Sequence, residues 1–227
     1  MVLSKNMQKL VAGSSTIRKL FEEGIELAKE VGAENVYDFS LGNPAAPVPE
    51  EVKKSIYDIL ENRNANFVHC YMPNAGYPEV REKVAANLNK KYNSSFTKDD
   101  IIMTVGAAGG INCVLRSLLE PEDEVLCFAP FFGEYNSYVM NFGGNLKVVP
   151  ADYETFQLNV EEADKYITER TKAVIINNPN NPSGVVYNKE TLIRLQKMLE
   201  KAEERIGHRS EERRVGKECR SRWSPYH

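Results

Sequence analysis

The residues best equipped for chemistry lie in 177–187, NNPNNPSGVVY. Two X-Pro steps, at Pro179 and Pro182, restrict the backbone to extended or turn conformations, and Gly184 admits a positive φ. The string follows a short apolar run, so Asn180 and Asn181 fall at the carboxyl end of a predicted strand, where ligands of parallel α/β sheets bind. The plainer alternative is a Pro/Asn-rich turn. Upstream, residues 105–110, VGAAGG, join an apolar run to a segment of helical period. Small residues let the backbone close on a ligand, and a helix N-terminus offers free N–H groups and a positive dipole end to a phosphate. Gly106, Ala107 and Ala108 thus form a candidate phosphate cradle; a tight strand-to-helix connection is the alternative. The string is neither G-x-G-x-x-G nor a P-loop, and Gly216-Lys217 lacks a following Ser or Thr, which disfavours nicotinamide and nucleoside triphosphate sites. Residues 129–135, APFFGEY, place Phe131 and Phe132 just past another predicted strand, able either to stack on a flat ligand or to fill core.

These segments need a scaffold, and the sequence supplies one of the α/β class. Residues 101–105, 124–129, 146–151 and 172–177 read as strands. Between them, 109–119, 132–142 and 159–168 read as helices, the alternation that predicts a mainly parallel sheet flanked by helices. Amphipathic spacing also marks 50–60 and 78–92, the latter through Val80, Val84 and Leu88. Leu192, Leu195, Leu199, Ala202 and Ile206 step by three or four and define a helix over 189–205. No internal repeat is visible.

Composition narrows the class. The 227 residues are 42% hydrophobic and 27% charged, ordinary globular proportions that exclude a disordered or collagen-like chain. A net charge of −3 gives no electrostatic footprint for nucleic acid, which is not expected as a partner. No apolar run approaches the roughly 18 residues needed to cross a bilayer, and the charged start MVLSKNMQKL lacks a secretory pattern, so a cytoplasmic protein without membrane partners is expected. Cys70, Cys113, Cys127 and Cys219 show no C-x-x-C spacing, which disfavours zinc and disulfides and predicts no metal site. Cys113 and Cys127 fall among apolar residues and read as reduced core thiols.

The 177–187 string closely resembles the Asn-Pro-x-Asn-Pro-x-Gly signature of fold-type I, class I/II aminotransferases, which use pyridoxal 5'-phosphate. The resemblance runs over roughly residues 15–206. It implies a fold-type I PLP-transferase-like major domain, incomplete here, with part of the smaller domain at the N-terminus. The expected division is 1–48 for the arm and start of the small domain, 49–208 for the cofactor-binding domain, and 209–227 for a tail. Residues 38–47, DFSLGNPAAP, are similar to the segment whose glycine, here Gly42, lines the substrate carboxylate pocket. Residues 71–81, YMPNAGYPEVR, resemble a Tyr-x-x-x-x-Gly motif whose tyrosine reaches the cofactor phosphate of the other subunit, so Tyr71 implies a homodimer with shared sites. By the same resemblance Gly106, Ala107 and Ala108 hold the phosphate, Phe132 lies on the pyridine ring, and Asn181 donates to the phenolic oxygen.

The chemistry implied is transfer of an amino group between an α-amino acid and a 2-oxo acid. A C–S lyase or decarboxylase of the same fold, and a non-catalytic fragment or dimerisation module, are the alternatives. The family's Schiff-base Lys, the Asp that protonates the pyridine nitrogen and the carboxylate-binding Arg have no counterparts here: no Asp follows Asp164, and Lys217 lies in Val-Gly-Lys-Glu without the expected serine. No catalytic residue is therefore assigned. The last nineteen residues, RSEERRVGKECRSRWSPYH, carry six basic and three acidic residues and the single Trp, with no apolar period. They resemble translated sequencing adaptor, and the expectation is an inactive N-terminal portion of a longer enzyme whose own sequence is left near His208. The sheet edge and the apolar face of the 189–205 helix are expected to be exposed.

Overall fold

The strand Glu124–Phe128 (β1) is buried along its whole length, as befits a five-residue EVLCF run with a parallel neighbour on each side. The computed structural model describes residues 2–4, 7, 8, 11, 16–39, 42 and 46–207. They divide into two compact units, one ending at Cys70 and the other beginning at Tyr71.

In the first unit, helices α1 (Thr16–Val31), α2 (Glu50–Asn62) and α3 (Ala65–Val68) are amphipathic or short, and α2 and α3 bury no residue. Asn64 caps α3 by accepting from the Asn66 N–H at 2.8 Å.

The second unit opens with α4 (Pro78–Tyr92), which starts on a proline at the first turn and ends at Asn93 in the left-handed region. It continues through α5 (Gly106–Leu118), β1, α6 (Tyr135–Met140), β2 (Asn145–Val149), α7 (Val160–Ala163), β3 (Thr171–Ile175) and α8 (Lys189–Ile206). The strand order is β2-β1-β3, all parallel. Two apolar clusters cover the two faces. Leu126, Phe128, Val149 and Val174 pack with Val160 and Ala163 of α7 and Leu195 and Ala202 of α8. Val125, Leu146, Ala173 and Ile175 pack with Leu115 of α5 and Val139 of α6. Alternate strand residues thus supply opposite faces.

Four expectations are corrected. Residues 101–105 form no strand: the Ile101 N–H donates to Lys98 O and the Met103 N–H to Ala75 O at 3.0 Å, so their backbone bonds go to a 3-10 turn and a loop rather than to a ladder. Residues 159–168 form a four-residue helix and a 3-10 turn, Asp164–Tyr166, instead of one helix. The 132–142 helix is confined to Tyr135–Met140, since 129–134 form the loop after β1. The apolar face of α8 is covered, with Leu195 and Ala202 buried against β1 and α7 and Leu192, Met198 and Leu199 packed alongside. Asn188 and Gly207 cap this helix at its two ends. β3 does stand at an edge of the described sheet. Residues 209–227, with Lys217 and Cys219, lie outside the described residues.

Candidate cofactor site

Chain connections create a crevice. Helices α5 and α6, before and after β1, lie on one face of the sheet, whereas α8, which follows β3, lies on the other. The loops leaving the carboxyl ends of the adjacent strands β1 and β3 therefore diverge to opposite faces. In open α/β sheets such a switch point is where ligands bind. The loop after β1 carries Phe131 and Phe132; the loop after β3 carries Asn180 and Asn181.

The two loops are tied together. The Asn180 Nδ2 group donates to Pro130 O at 3.2 Å and to the Tyr187 hydroxyl at 2.9 Å. Asn181, the next residue, is exposed. Gly184 sits at φ 72°, the left-handed conformation its lack of a Cβ permits, and its N–H donates to Asn180 O at 2.7 Å. The half-buried Phe132 ring meets the buried Tyr135 ring edge-on, centroids 5.7 Å apart, which holds its orientation. Burial pushes the Tyr135 and Tyr187 hydroxyls above their ordinary value, and for Tyr187 the Asn180 hydrogen bond pulls the other way.

Helix α5 completes the crevice. Leu115 and Leu119, at its C-terminal end, share a cluster with Val125 at the start of β1, which directs the helix N-terminus toward the carboxyl ends of the strands. Val105 at the cap position makes no side-chain hydrogen bond to the first turn, and that turn contains no acidic residue. Gly106 has φ 69°, with open space where a Cβ would stand. Thr104 steadies the entry, its hydroxyl donating to Gly106 O at 3.0 Å and its carbonyl accepting from the Gly106 N–H at 2.9 Å. An uncapped thirteen-residue helix free of first-turn carboxylate suits a dianionic group, and Gly106, Ala107 and Ala108 form that turn.

Of the other predicted residues, Tyr71 is fully exposed at the start of the second unit. The rest of its motif supports the backbone. A Cβ on Gly76, at φ 94°, would lie 2.6 Å from the Met103 side chain, and Arg81 donates to Lys98 O at 2.8 Å. Both hold the segment that leads into Gly106. Gly42 belongs to the first unit and is exposed, while Ser40, Leu41 and 43–45 lie outside the described residues. Cys113 is exposed on α5 rather than in the core, a correction that follows from the helix burying the face of Leu115 instead. Cys127 is buried, and burial pushes its thiol up to about 12.

Sequence reasoning placed Asn180 beside Asn181 without giving it a task, and it gave Tyr135 none. The Ser183 N–H and hydroxyl both donate to Asn180 Oδ1, and an Asn shortly before a Ser in a Pro/Gly-rich string is a general sign of a turn held by side chains.

The profile of the aminotransferase class I and II family matches residues 33–206. The chain belongs to that family, whose cofactor is pyridoxal 5'-phosphate. It is 35% identical over 168 residues to the probable aspartate/prephenate aminotransferase of Aquifex aeolicus, covering 73% of this chain and 42% of that protein. It is 37% identical over 195 residues to aromatic-amino-acid aminotransferase 2 of Thermococcus litoralis, covering 85% and 47%. Among solved structures, an amino transferase of Eubacterium rectale superposes with a TM-score of 0.87 at 40% identity, covering 91% of this chain and 52% of that one. Aspartate aminotransferase of Thermus thermophilus with maleate gives 0.76 at 30% identity, covering 89% and 51%. The chain spans about half the length of these relatives. The fold-type I α/β architecture, with a mainly parallel sheet flanked by helices as the sequence predicts, is what these structures share with it.

Proposed function

We propose that the protein acts as a cytoplasmic, pyridoxal-phosphate-dependent aminotransferase that moves an amino group between an α-amino acid and a 2-oxo acid. In this reading the chain carries the phosphate-binding and ring-stacking half of the site. The supporting observation is the switch point at the carboxyl ends of β1 and β3, with Phe132 and Asn181 on its diverging loops, and the uncapped N-terminus of α5, a helix packed on the same sheet. When bound, the cofactor supplies an electron sink for bond breaking at the amino-acid α-carbon.

The chain's own groups have separable tasks. The first α5 turn, Gly106, Ala107 and Ala108, would cradle the phosphate at the positive end of the helix dipole, with the Ala107 and Ala108 N–H groups as donors and Gly106, whose own N–H is given to Thr104 O, leaving the space. Phe132 stacks on the ring and excludes water from that face, an interaction worth about 0.5–1.5 kcal/mol beyond buried area. The Asn181 carboxamide, exposed in the chain, would donate to the phenolic oxygen and stabilise negative charge there. Gly42 leaves room for the substrate carboxylate. Tyr71, fully exposed, would reach the phosphate held by a second copy of the chain in a homodimer. The Lys, Asp and Arg that complete the reaction come, on this reading, from sequence that replaces residues 209–227 in the whole protein.

The test is to express the gene read through the His208 codon and to follow 2-oxo acid formation from a panel of α-amino acids. Amino exchange by the longer product and none by the 227-residue chain is the expected result. Release of carbon dioxide or a thiol without amino exchange would contradict it.

A further inference from the structure

We infer that Asn180 is a positioning residue, whose carboxamide clamps the loop after β3 to the loop after β1 and thereby fixes Asn181 and Phe132 for a flat ligand. The inference rests on the cofactor reading above and assigns a task that reading leaves open. Asn180 is only 6% exposed, so its polar atoms must find partners inside the protein. All of its capacity is used. Nδ2 donates to Pro130 O and to the Tyr187 hydroxyl, while Oδ1 accepts from the Ser183 N–H at 3.1 Å and the Ser183 hydroxyl at 2.8 Å. The carboxamide orientation is unambiguous, because the Pro130 carbonyl can only accept and the Ser183 N–H can only donate.

The clamp joins residues 50 positions apart in sequence. On one side, the Asn180 N–H donates to Val185 O at 2.9 Å and its carbonyl accepts from Gly184, so the residue is fixed at the neck of its own turn. Tyr187 is buried and its N–H donates to Asn178 Oδ1 at 2.9 Å, which closes the base of the same loop. On the other side, Pro130 is two residues before Phe132, and the Tyr135 N–H donates to Phe132 O at 3.0 Å. Moving the Pro130 carbonyl therefore moves the stacking ring, and moving Asn180 moves its neighbour Asn181. No bond of Asn180 involves the first turn of α5. Its loss should weaken recognition of a ring and spare recognition of a phosphate.

The experiment uses the full 227-residue chain and two variants. Asn180→Asp keeps the shape and replaces the donating group with an acceptor facing the Pro130 carbonyl. Tyr187→Phe removes one partner and keeps the ring, so it reports even where the first variant folds poorly. Two readouts are taken: hydrogen exchange at the Tyr135 and Asn136 amides, and affinity for pyridoxine 5'-phosphate against inorganic phosphate. Pyridoxine 5'-phosphate has the ring and phosphate but no aldehyde to react with surface lysines. Asn180→Asp is expected to speed exchange at Tyr135 and Asn136 about tenfold and to weaken pyridoxine 5'-phosphate about tenfold, the loss of about one buried hydrogen bond, with inorganic phosphate unchanged. Tyr187→Phe should act in the same direction by about threefold. Faster exchange confined to 178–187 overturns the clamp, and so does equal weakening of both ligands, the mark of a merely structural loss. A wild-type chain that binds neither ligand refutes the cofactor reading, and the inference falls with it. Wild-type binding of both ligands without any response at Tyr135 overturns the inference alone.

Discussion

The two ends of the crevice are built on opposite principles. At the α5 end, everything offered to a ligand is backbone: an uncapped helix turn, a glycine at φ 69° and open space beyond it. At the β1–β3 end, side chains do the work, and the key one, Asn180, has every hydrogen-bonding site filled before any ligand arrives. A phosphate is nearly spherical in its demands and accepts from any N–H that points at it, so small residues at a helix start suffice. A planar ring needs a surface on one side and a donor at one edge, held at fixed mutual geometry. That precision comes from locked side chains supported by a core.

Both ends stand on the same sheet, which gives the largest expected effect. Leu126 has no exposed surface and lies in the cluster shared by β1, α7 and α8. Leu126→Ala should destabilise the second unit by about 2–5 kcal/mol in urea unfolding, and ring and phosphate binding should be lost together. Loss of one without the other would mean that the ends do not share a foundation. Gly106→Val separates them. A β-branched residue at φ 69° costs about 1–2 kcal/mol, so the turn relaxes away from its cradle. Inorganic phosphate should bind about tenfold more weakly in titrations. Unchanged phosphate affinity would break the contrast. Phe132→Leu acts at the other end and more gently: pyridoxine 5'-phosphate should weaken by a few fold, matching about 0.5–1.5 kcal/mol of stacking, with phosphate unaffected.

The smallest effect concerns the thiols. Burial holds Cys127 protonated in the fold, up to about 12 against an ordinary 9.0, whereas the unfolded chain ionises at the lower value. Its contribution to stability is therefore complete below about pH 9 and is lost as pH rises toward 12. At pH 8, residue-resolved labelling should modify Cys70 and Cys113, both exposed, well before Cys127. Equal rates would show that β1 opens as readily as the exposed segments that carry Cys70 and Cys113.

Much of this was legible in the sequence, and the failures are instructive. Helix α4 follows its Val80, Val84 and Leu88 spacing over the predicted 78–92, and α8 extends the predicted 189–205 by one residue to a glycine cap. The three strands each fall within one or two residues of expectation, because short β-rich runs bounded by turn residues leave few alternatives. Residues 101–105 carry the same apolar signal, but their backbone partners are Ala75 and Lys98, and nothing local announces that. Cys113 sits among apolar neighbours in sequence, yet helical rotation turns it away from the face that Leu115 buries. The residues proposed for the site stand in motifs that the sequence displays on its own. The clamp is not displayed there, because a bond from Asn180 to Pro130 is a fact about two strands lying side by side.

The central claim is that a phosphorylated pyridine ring lies across the ends of β1 and β3 with its phosphate on the first turn of α5. Amide chemical-shift mapping of the chain with pyridoxine 5'-phosphate, compared with pyridoxine, tests it most directly. The account predicts large movements of the Ala107 and Ala108 amides that require the phosphate, together with movements at Phe132 and Asn181 produced by either ligand. Perturbations centred elsewhere, such as the opening lined by Asp152 and Arg194, would contradict it.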